Sequence, residues 1–222
     1  MKFRKRKVGG FFRYPRRYLC GVLILILMSM KTVIIDNGHG RDTAGKRSPD
    51  GRLLEWKWTR CVARRLCGKL RAAGLEPALL VQGDADVTLR ERCRRANELC
   101  SGREAVLLSL HTNASGSGKE WGTASGWSAF VSPNASEKSR RLAALLHEEA
   151  VSRGLAGNRK TPSSGYYTAN LALCRDTLCP AVLTENLFHD NLADVDYLLT
   201  DRGQENIAEL HVRAVMKYFG ES

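Results

Sequence analysis

Two histidines and two glutamates stand out because each lies where a predicted strand ends or a predicted helix begins. His39 follows the short run "TVIID" inside the stretch "IDNGHG", with a glycine on either side. His111 directly follows the apolar run "EAVLLSL", and Glu185 closes the run "PAVLTE". Glu55 opens a long helical stretch. Imidazoles and carboxylates of this kind can together hold a metal ion and transfer a proton.

The elements that must position these four side chains alternate between strand and helix. In the longest helical stretch Trp58, Val62, Leu66 and Leu70 recur every four residues, and Gly74 is a stop signal. Strands are predicted at 32–36, 76–81, 104–110, 126–131 and 180–186, and helices at 55–74, 88–100, 136–154 and 201–219. The pattern predicts a single α/β domain with a mostly parallel, twisted sheet of about six strands, flanked by helices on both faces.

Sites in open α/β sheets form at the carboxyl ends of the strands, where His39, His111 and Glu185 are all expected. A helix that follows the first strand must begin at the same rim, which brings Glu55 there as well. Singly, each residue has an ordinary explanation as a turn residue, a core histidine, a paired acid or a helix-start acid. Jointly, two histidines and one carboxylate form a catalytic zinc set, and the remaining glutamate suits a general base.

The other histidines carry less chemistry. His147 and His211 fall within amphipathic helices and are interpreted as surface or core residues. His189, four residues past Glu185, is a weaker candidate for a substrate contact. The seven cysteines form no CxxC pair and no disulfide framework, so a cysteine-based metal site is not expected.

The net charge of +12 is unevenly distributed. Residues 1–17 contain eight Lys or Arg and no acid, and the rest of the chain contains 27 basic and 23 acidic residues. A body this mildly basic, without a basic and aromatic cluster, argues against a nucleic-acid partner.

Residues 1–30 form a basic and apolar leader, separate from a predicted domain at 31–222. The apolar part, residues 18–30, is shorter than the ~20 residues of a comfortable membrane span, and no small-residue cleavage site follows it. Two explanations stand side by side. The leader is an export signal or short anchor that contacts a membrane, or translation starts at Met28 or Met30 and the leader is an upstream misreading.

Five motifs in order resemble the zinc-dependent N-acetylmuramoyl-L-alanine amidases of bacterial cell walls. "IDNGHG" is similar to the family's zinc turn, "LLEWKW" to the start of its ligand-bearing helix, and "TLRERCRRAN" to its "sLxxRxxxAN" helix. "LLSLHTNA" resembles its "SIHaNA" strand, and "CPAVLTENLFHDN" resembles "xPavLvEtgFxsN". Asn37 stands in place of the family's proline, and Asn186 and Leu187 replace its Thr-Gly pair.

The resemblance implies one catalytic Zn²⁺ held by His39, Glu55 and His111, with Glu185 as the catalytic base. It also implies that Asn113 lies in the loop beside the metal, as a candidate substrate contact. The expected reaction is hydrolysis of the amide between the lactyl group of N-acetylmuramic acid and L-Ala of the peptidoglycan stem. The short loop 114–126 has no room for the helical plug of some relatives, so an open site on a bare catalytic domain is expected.

Two other functions are compatible with part of this pattern. A two-histidine, one-carboxylate set also binds iron in oxygenases, but those usually have β-rich folds. A non-catalytic peptidoglycan-binding relative would have lost a ligand or the base, and all four residues are present. The expected enzyme is a monomer that acts on the cell wall or in the periplasm, either exported or tethered through residues 1–30, or made in the cytoplasm and released as a lysin.

Overall fold

A computed structural model of the protein describes residues 31–220, which fold around one six-stranded sheet. The strand order is β2-β1-β3-β6-β4-β5. All neighbouring pairs are parallel except β4 and β6, which run antiparallel. The strands are β1 (Thr32–Asn37), β2 (Glu76–Leu79), β3 (Ala105–Asn113), β4 (Ser128–Val131), β5 (Tyr167–Thr168) and β6 (Ala181–Phe188). The predicted fold class is confirmed.

Helices cover both faces of the sheet, as expected for strands that are apolar along their whole length. They are α1 (Glu55–Ala72), α2 (Leu89–Cys100), α3 (Glu137–Ser152), α4 (Ala172–Arg175), α5 (Leu192–Leu199) and α6 (Asp201–Phe219). The larger core packs α1, α3, α5 and α6 against one face. The smaller core packs α2 and α4 against the other face. The four-residue repeat of α1 is buried throughout, from Trp58 to Leu70.

Helix boundaries follow local chemistry at most ends. Thr88 caps α2 by accepting a hydrogen bond from the Glu91 N–H, and Ser136 caps α3 in the same way. Gly220 ends α6 in the left-handed conformation. The start of α1 has no side-chain cap. Instead the Glu55 N–H donates to the Lys46 carbonyl oxygen at 2.9 Å, so the loop before the helix fixes the residue that opens it.

Three short elements were not predicted from the sequence, namely β5, α4 and α5. The two residues of β5 pair only with the end of β4, so their strand conformation depends on that neighbour. The helix α5 does have a local signal, since Asn191 caps it through a hydrogen bond from the Asp194 N–H. Strand β3 is longer than predicted and continues to Asn113, because β6 extends alongside it beyond the last pair with β1, Asn37 and Leu110.

The predictions for the leader concern residues 1–30, which lie outside the described part of the chain. Within residues 31–220, no helix combines the length and the apolar character needed to cross a bilayer. The six cysteines of this region are all free, and four of them are buried.

Candidate metal centre

The structure brings His39, Glu55 and His111 together at the carboxyl-end rim of the sheet. One ligand atom from each side chain lies within 4.8 Å of the other two. Glu55 Oε1 is 3.0 Å from His111 Nδ1 and 3.6 Å from His39 Nε2. The two imidazole rings meet edge to face, with centroids 4.8 Å apart. Residues 72 positions apart along the chain thus converge on one point, as the arrangement of the predicted strands required.

The turn that follows β1 carries His39 in a left-handed conformation, with φ of 60°. A histidine tolerates this region better than most residues do. At each of the two flanking glycines a side chain would not fit, for a different reason. A Cβ on Gly38 would come within 2.3 Å of His111 Cε1, so the absence of a side chain there makes room for the second imidazole. A Cβ on Gly40 would come within 2.0 Å of the Asp86 backbone nitrogen, which lies against the turn.

Two buried arginines form hydrogen bonds with the backbone of the same turn. Arg92 donates to the carbonyl oxygens of Asn37 and His39 and pairs with the carboxylate of Asp36, which is 1% exposed. Arg60 also donates to the His39 carbonyl oxygen, at 3.1 Å. A hydrogen bond from Ser109 to Asp36 completes the network. The backbone on which His39 sits is therefore fixed by charge-assisted hydrogen bonds.

Glu55 is almost fully buried, yet it is held as a carboxylate. Burial raises the pKa of this acid, but the hydrogen bond with His111, the charges of both histidines and the Thr112 N–H outweigh burial and lower the pKa to about 2. The Thr112 N–H donates to Oε1 at 2.9 Å. Oε2 has no hydrogen-bond partner within residues 31–220. A buried anion with an unsatisfied oxygen suits a cation bound between the two imidazoles.

Glu185 lies on β6 directly across from His111 on β3. Burial raises the pKa of Glu185 to about 7, against the opposing effects of His111, Lys46 and Arg159. Its Oε2 is also without a hydrogen-bond partner in the described chain. A carboxyl group with a pKa near neutrality can both accept and return a proton under physiological conditions.

A bulge in β6 follows Glu185. Between the pairs His111–Glu185 and Asn113–Phe188, β6 contains one residue more than β3. Leu187 accommodates this with a φ of 65°, in the left-handed region, while its side chain is buried. This conformation explains why glycine suits the position in the motif that "ENLF" resembles.

Of the two weaker candidates, Asn113 lies at the end of β3, where its Oδ1 accepts a hydrogen bond from the Ala114 N–H. His189 is buried, with Nδ1 3.0 Å from Thr112 Oγ1 and 3.8 Å from Glu55 Oε2. A substrate contact by either residue stays a prediction. His147 is half-buried on α3, and His211 is a core residue, in line with their interpretation from sequence.

Asp190 is a residue that the sequence interpretation missed. Its Oδ2 accepts hydrogen bonds from the Ser115 N–H, the Ser115 hydroxyl and the Gly116 N–H, and its carbonyl oxygen accepts from the Gly122 N–H. Both ends of the loop after β3 are thus tied to Asp190, one end to its buried carboxylate and the other to its backbone carbonyl. No sequence motif identified this contact, although Asp190 immediately follows His189.

The donor chemistry of His39, Glu55 and His111 fits a metal ion. Two imidazoles and one carboxylate leave a coordination position open, which is the composition of catalytic zinc sites. Burial lowers the pKa of His39 to about 4, so its imidazole is neutral and free to bind a cation at physiological pH. The chain therefore contains a His-Glu-His cluster able to hold a metal, with a fourth ionisable group beside it.

Comparison with known proteins gives a consistent result. Residues 33–217 match the sequence profile of the N-acetylmuramoyl-L-alanine amidase family. The chain is 30% identical to the N-acetylmuramoyl-L-alanine amidase CwlM of Bacillus licheniformis, over 87% of this chain and 70% of that protein. It is also 30% identical to the amidase LytC of Bacillus subtilis, over 76% of this chain but only 31% of LytC.

Solved structures agree with the sequence comparison. The crystal structure of an N-acetylmuramoyl-L-alanine amidase from Clostridium difficile 630 superposes with a TM-score of 0.76 at 25% identity. The match covers 87% of this chain and 99% of that one.

Proposed function

The chain belongs to the N-acetylmuramoyl-L-alanine amidase family and is an amide hydrolase of peptidoglycan, and we propose that it works with one zinc ion held by His39, Glu55 and His111. The bond it hydrolyses joins the lactyl group of N-acetylmuramic acid to the L-Ala of the stem peptide. In this proposal Glu185 is the general base.

A zinc ion bound by these three residues would supply Lewis-acid chemistry, which polarises the scissile carbonyl and acidifies water. Glu185 takes the proton from the attacking water and then delivers it to the nitrogen of the leaving L-Ala. Glu55 keeps its negative charge throughout, since the Thr112 N–H and both imidazoles stabilise the carboxylate form. The water is the nucleophile, so the reaction needs no covalent intermediate on a serine or cysteine.

The observation that carries this assignment is the opposite behaviour of the two carboxyl groups. The pKa of Glu55 is lowered to about 2, whereas the pKa of Glu185 is raised to about 7. Environments that separate two acids in this way assign them different tasks. An acid that stays ionised suits the ligand, and an acid that titrates near neutrality suits the proton carrier.

The place of action is the cell wall, because peptidoglycan is there. How the enzyme reaches the wall depends on residues 1–30, and we propose that N-terminal sequencing of the native protein, together with fractionation, distinguishes an exported protein from a released lysin. A protein in the membrane or wall fraction whose N-terminal residue is Met1, or lies within the leader, supports export. A protein in the cytosolic fraction whose N-terminal residue is Met28 or Met30 supports a lysin that is made in the cytoplasm and later released.

The proposed reaction is tested with purified protein and a muropeptide that contains an intact lactyl–L-Ala bond. Removal of metal with a chelator should abolish hydrolysis, and added zinc should restore it, with the products N-acetylmuramic acid and a stem peptide with a free L-Ala amine. Iron, the alternative ion for this donor set, should not restore turnover to the same level. Release of any other pair of products would overturn the assignment.

A further inference from the structure

Arg159 lies in a segment whose backbone is hydrogen-bonded on both sides of it. The preceding residue, Asn158, accepts a hydrogen bond from the Ser125 N–H at 3.0 Å and donates to the Thr123 carbonyl oxygen at 2.8 Å. The following residue, Lys160, accepts a hydrogen bond at its carbonyl oxygen from the Tyr167 hydroxyl, at 2.8 Å. Although this segment is exposed, the backbone around Arg159 is therefore anchored to the loop before β4 on one side and to β5 on the other.

The guanidinium of Arg159 rests on aromatic rings rather than on a carboxylate. Its central carbon lies 5.4 Å from the centre of the Tyr167 ring and 5.5 Å from that of Phe188, three residues after Glu185. No salt bridge joins it to an acid anywhere in residues 31–220. Stacking restricts the side chain, while its N–H groups stay available to a ligand.

Lys46 supplies a second cation, from the loop before α1. Its carbonyl oxygen is bonded to the Glu55 N–H, and the adjacent Arg47 bridges to Leu54, so this backbone is tied to the metal cluster. Its exposed ammonium group forms no salt bridge within the described chain. The charge of Lys46 acts on His39, Glu185 and His189, which places it beside the cluster.

Two unpaired cations next to one buried acid form a site for an anionic ligand. We propose that Arg159 and Lys46 bind a free carboxylate of the stem peptide and select substrates that carry it. The inference rests on the proposed function, because it takes the scissile lactyl–L-Ala bond to lie at Glu185. L-Ala itself has no free carboxylate when it is linked within the stem. The nearest one is the α-carboxylate of the γ-linked glutamate at the second position, one residue from the scissile bond.

Arg92 and Arg159 differ in the partners that their guanidinium groups have. The guanidinium of Arg92 is already saturated by Asp36, Asp86 and backbone carbonyls, so it holds the fold. Arg159 lacks such partners, lies against Phe188 and acts to lower the pKa of Glu185. A planar guanidinium can bind a carboxylate through two parallel hydrogen bonds, which an ammonium cannot do. Arg159 is therefore expected to contribute more to selectivity than Lys46.

The test uses two soluble muropeptides that differ only at the second stem residue, one with the α-carboxylate and one with an α-carboxamide. The zinc-loaded wild-type protein should prefer the carboxylate by roughly tenfold in kcat/KM, mainly through KM, as a charge-assisted hydrogen bond at an exposed site allows. Arg159→Gln should bring this ratio close to one by slowing the carboxylate substrate alone. Lys46→Gln should lower the ratio by a smaller factor, and 0.5 M salt should lower it in the wild type.

Arg71→Gln is a matched control, because Arg71 is an exposed arginine at the far end of α1. It should leave the preference unchanged. A third muropeptide, in which the C-terminal carboxylate is amidated instead, tests the other source of negative charge. A wild-type preference that follows the C-terminal group overturns the choice of the second residue.

Equal slowing of both substrates by Arg159→Gln would show a merely structural role and would overturn the proposal. Binding of the same peptides to Glu185→Gln, measured by calorimetry, tests the carboxylate subsite separately from the proposed hydrolysis. If the wild-type protein hydrolyses neither peptide, the proposed function fails. The carboxylate preference in binding then still decides whether Arg159 and Lys46 form the subsite.

Discussion

Glu185 and His111 face each other in register across the parallel strands β3 and β6. Neighbouring strands lie about 4.8 Å apart, so this pairing brings the proposed base next to a proposed ligand through backbone hydrogen bonds alone. The bulge at Leu187 follows immediately and ends the regular register. The sheet therefore fixes the distance between the backbone positions of Glu185 and His111. Local packing then determines the rotamers of the two side chains.

The Arg92 network gives the first prediction. Arg92→Met removes the cation that compensates Asp36, and both side chains are nearly inaccessible to solvent. We expect a loss of about 3–5 kcal/mol in the free energy of unfolding, because a buried charge is left without a partner. Urea denaturation measures it.

Arg94→Met is the control, since Arg94 lies on the same helix but pairs with Glu91 and Glu98 at the surface. It should change the free energy of unfolding by no more than about 0.5 kcal/mol. Similar losses for both variants would show that Arg92 does not hold the turn as the structure indicates.

Asp190 gives the second prediction. Asp190→Asn replaces a charged acceptor of three hydrogen bonds with a neutral one, so the loop between Ser115 and Gly122 should open more often. Cleavage by trypsin after the exposed Lys119 should rise by roughly tenfold, the factor that corresponds to losing a charge-assisted hydrogen bond.

Asp196→Asn is the matched change at an exposed acid that pairs with Arg52. It should leave cleavage at Lys119 at the wild-type rate. An unchanged rate in Asp190→Asn as well would mean that the loop does not depend on this carboxylate.

The buried His211 predicts how stability depends on pH. Its ring contacts Thr184 Oγ1 and the Ile207 carbonyl oxygen, and burial lowers its pKa to about 4. Between about pH 4 and pH 6.5 the unfolded chain binds a proton that the folded chain excludes. Stability should therefore fall as the pH drops through this window, by an amount on the order of 3 kcal/mol from His211.

The variant His211→Leu should flatten this dependence, and His147→Gln should preserve most of it, because His147 is only half-buried. Chemical denaturation at several pH values, with all proteins at the same zinc loading, measures the slopes. A slope in His211→Leu equal to that of the wild type would contradict a neutral, buried His211.

Much of the fold follows from local pattern, and the exceptions have physical causes. The long helices and the buried strands were predictable because each has a hydrophobic period and a start or stop signal. The elements β5, α4 and α5 were missed because they are short. The strand β5 depends on pairing with β4, whereas α5 has a local signal in the Asn191 cap that the sequence prediction did not use. The predicted end of β3, at residue 110, falls short of the observed end at Asn113, because strand length depends on pairing as well as on composition.

The site shows the same division. The convergence of His39, His111 and Glu185 was predictable because polar residues at strand ends meet at one rim, and that of Glu55 because it opens the first helix. The contribution of Gly38 to the packing of His111 was not predictable, since it depends on an approach between two strands. The hydrogen bonds made by Asp190 and the left-handed conformation of Leu187 likewise arise only when the chain is folded.

Zinc stoichiometry, measured beside stem-peptide release in four variants, tests the central claim most directly. Glu185→Gln keeps the shape of the side chain but cannot act as a base, so it should bind about one zinc ion per chain, melt near the wild-type temperature and turn over roughly 10²–10⁴-fold more slowly. His39→Ala, Glu55→Ala and His111→Ala should each lose the zinc, the activity and the rise in melting temperature that zinc gives the wild type. If Glu185→Gln lost its zinc while Glu55→Ala kept it, the two carboxylates would have the opposite roles and the account would be wrong.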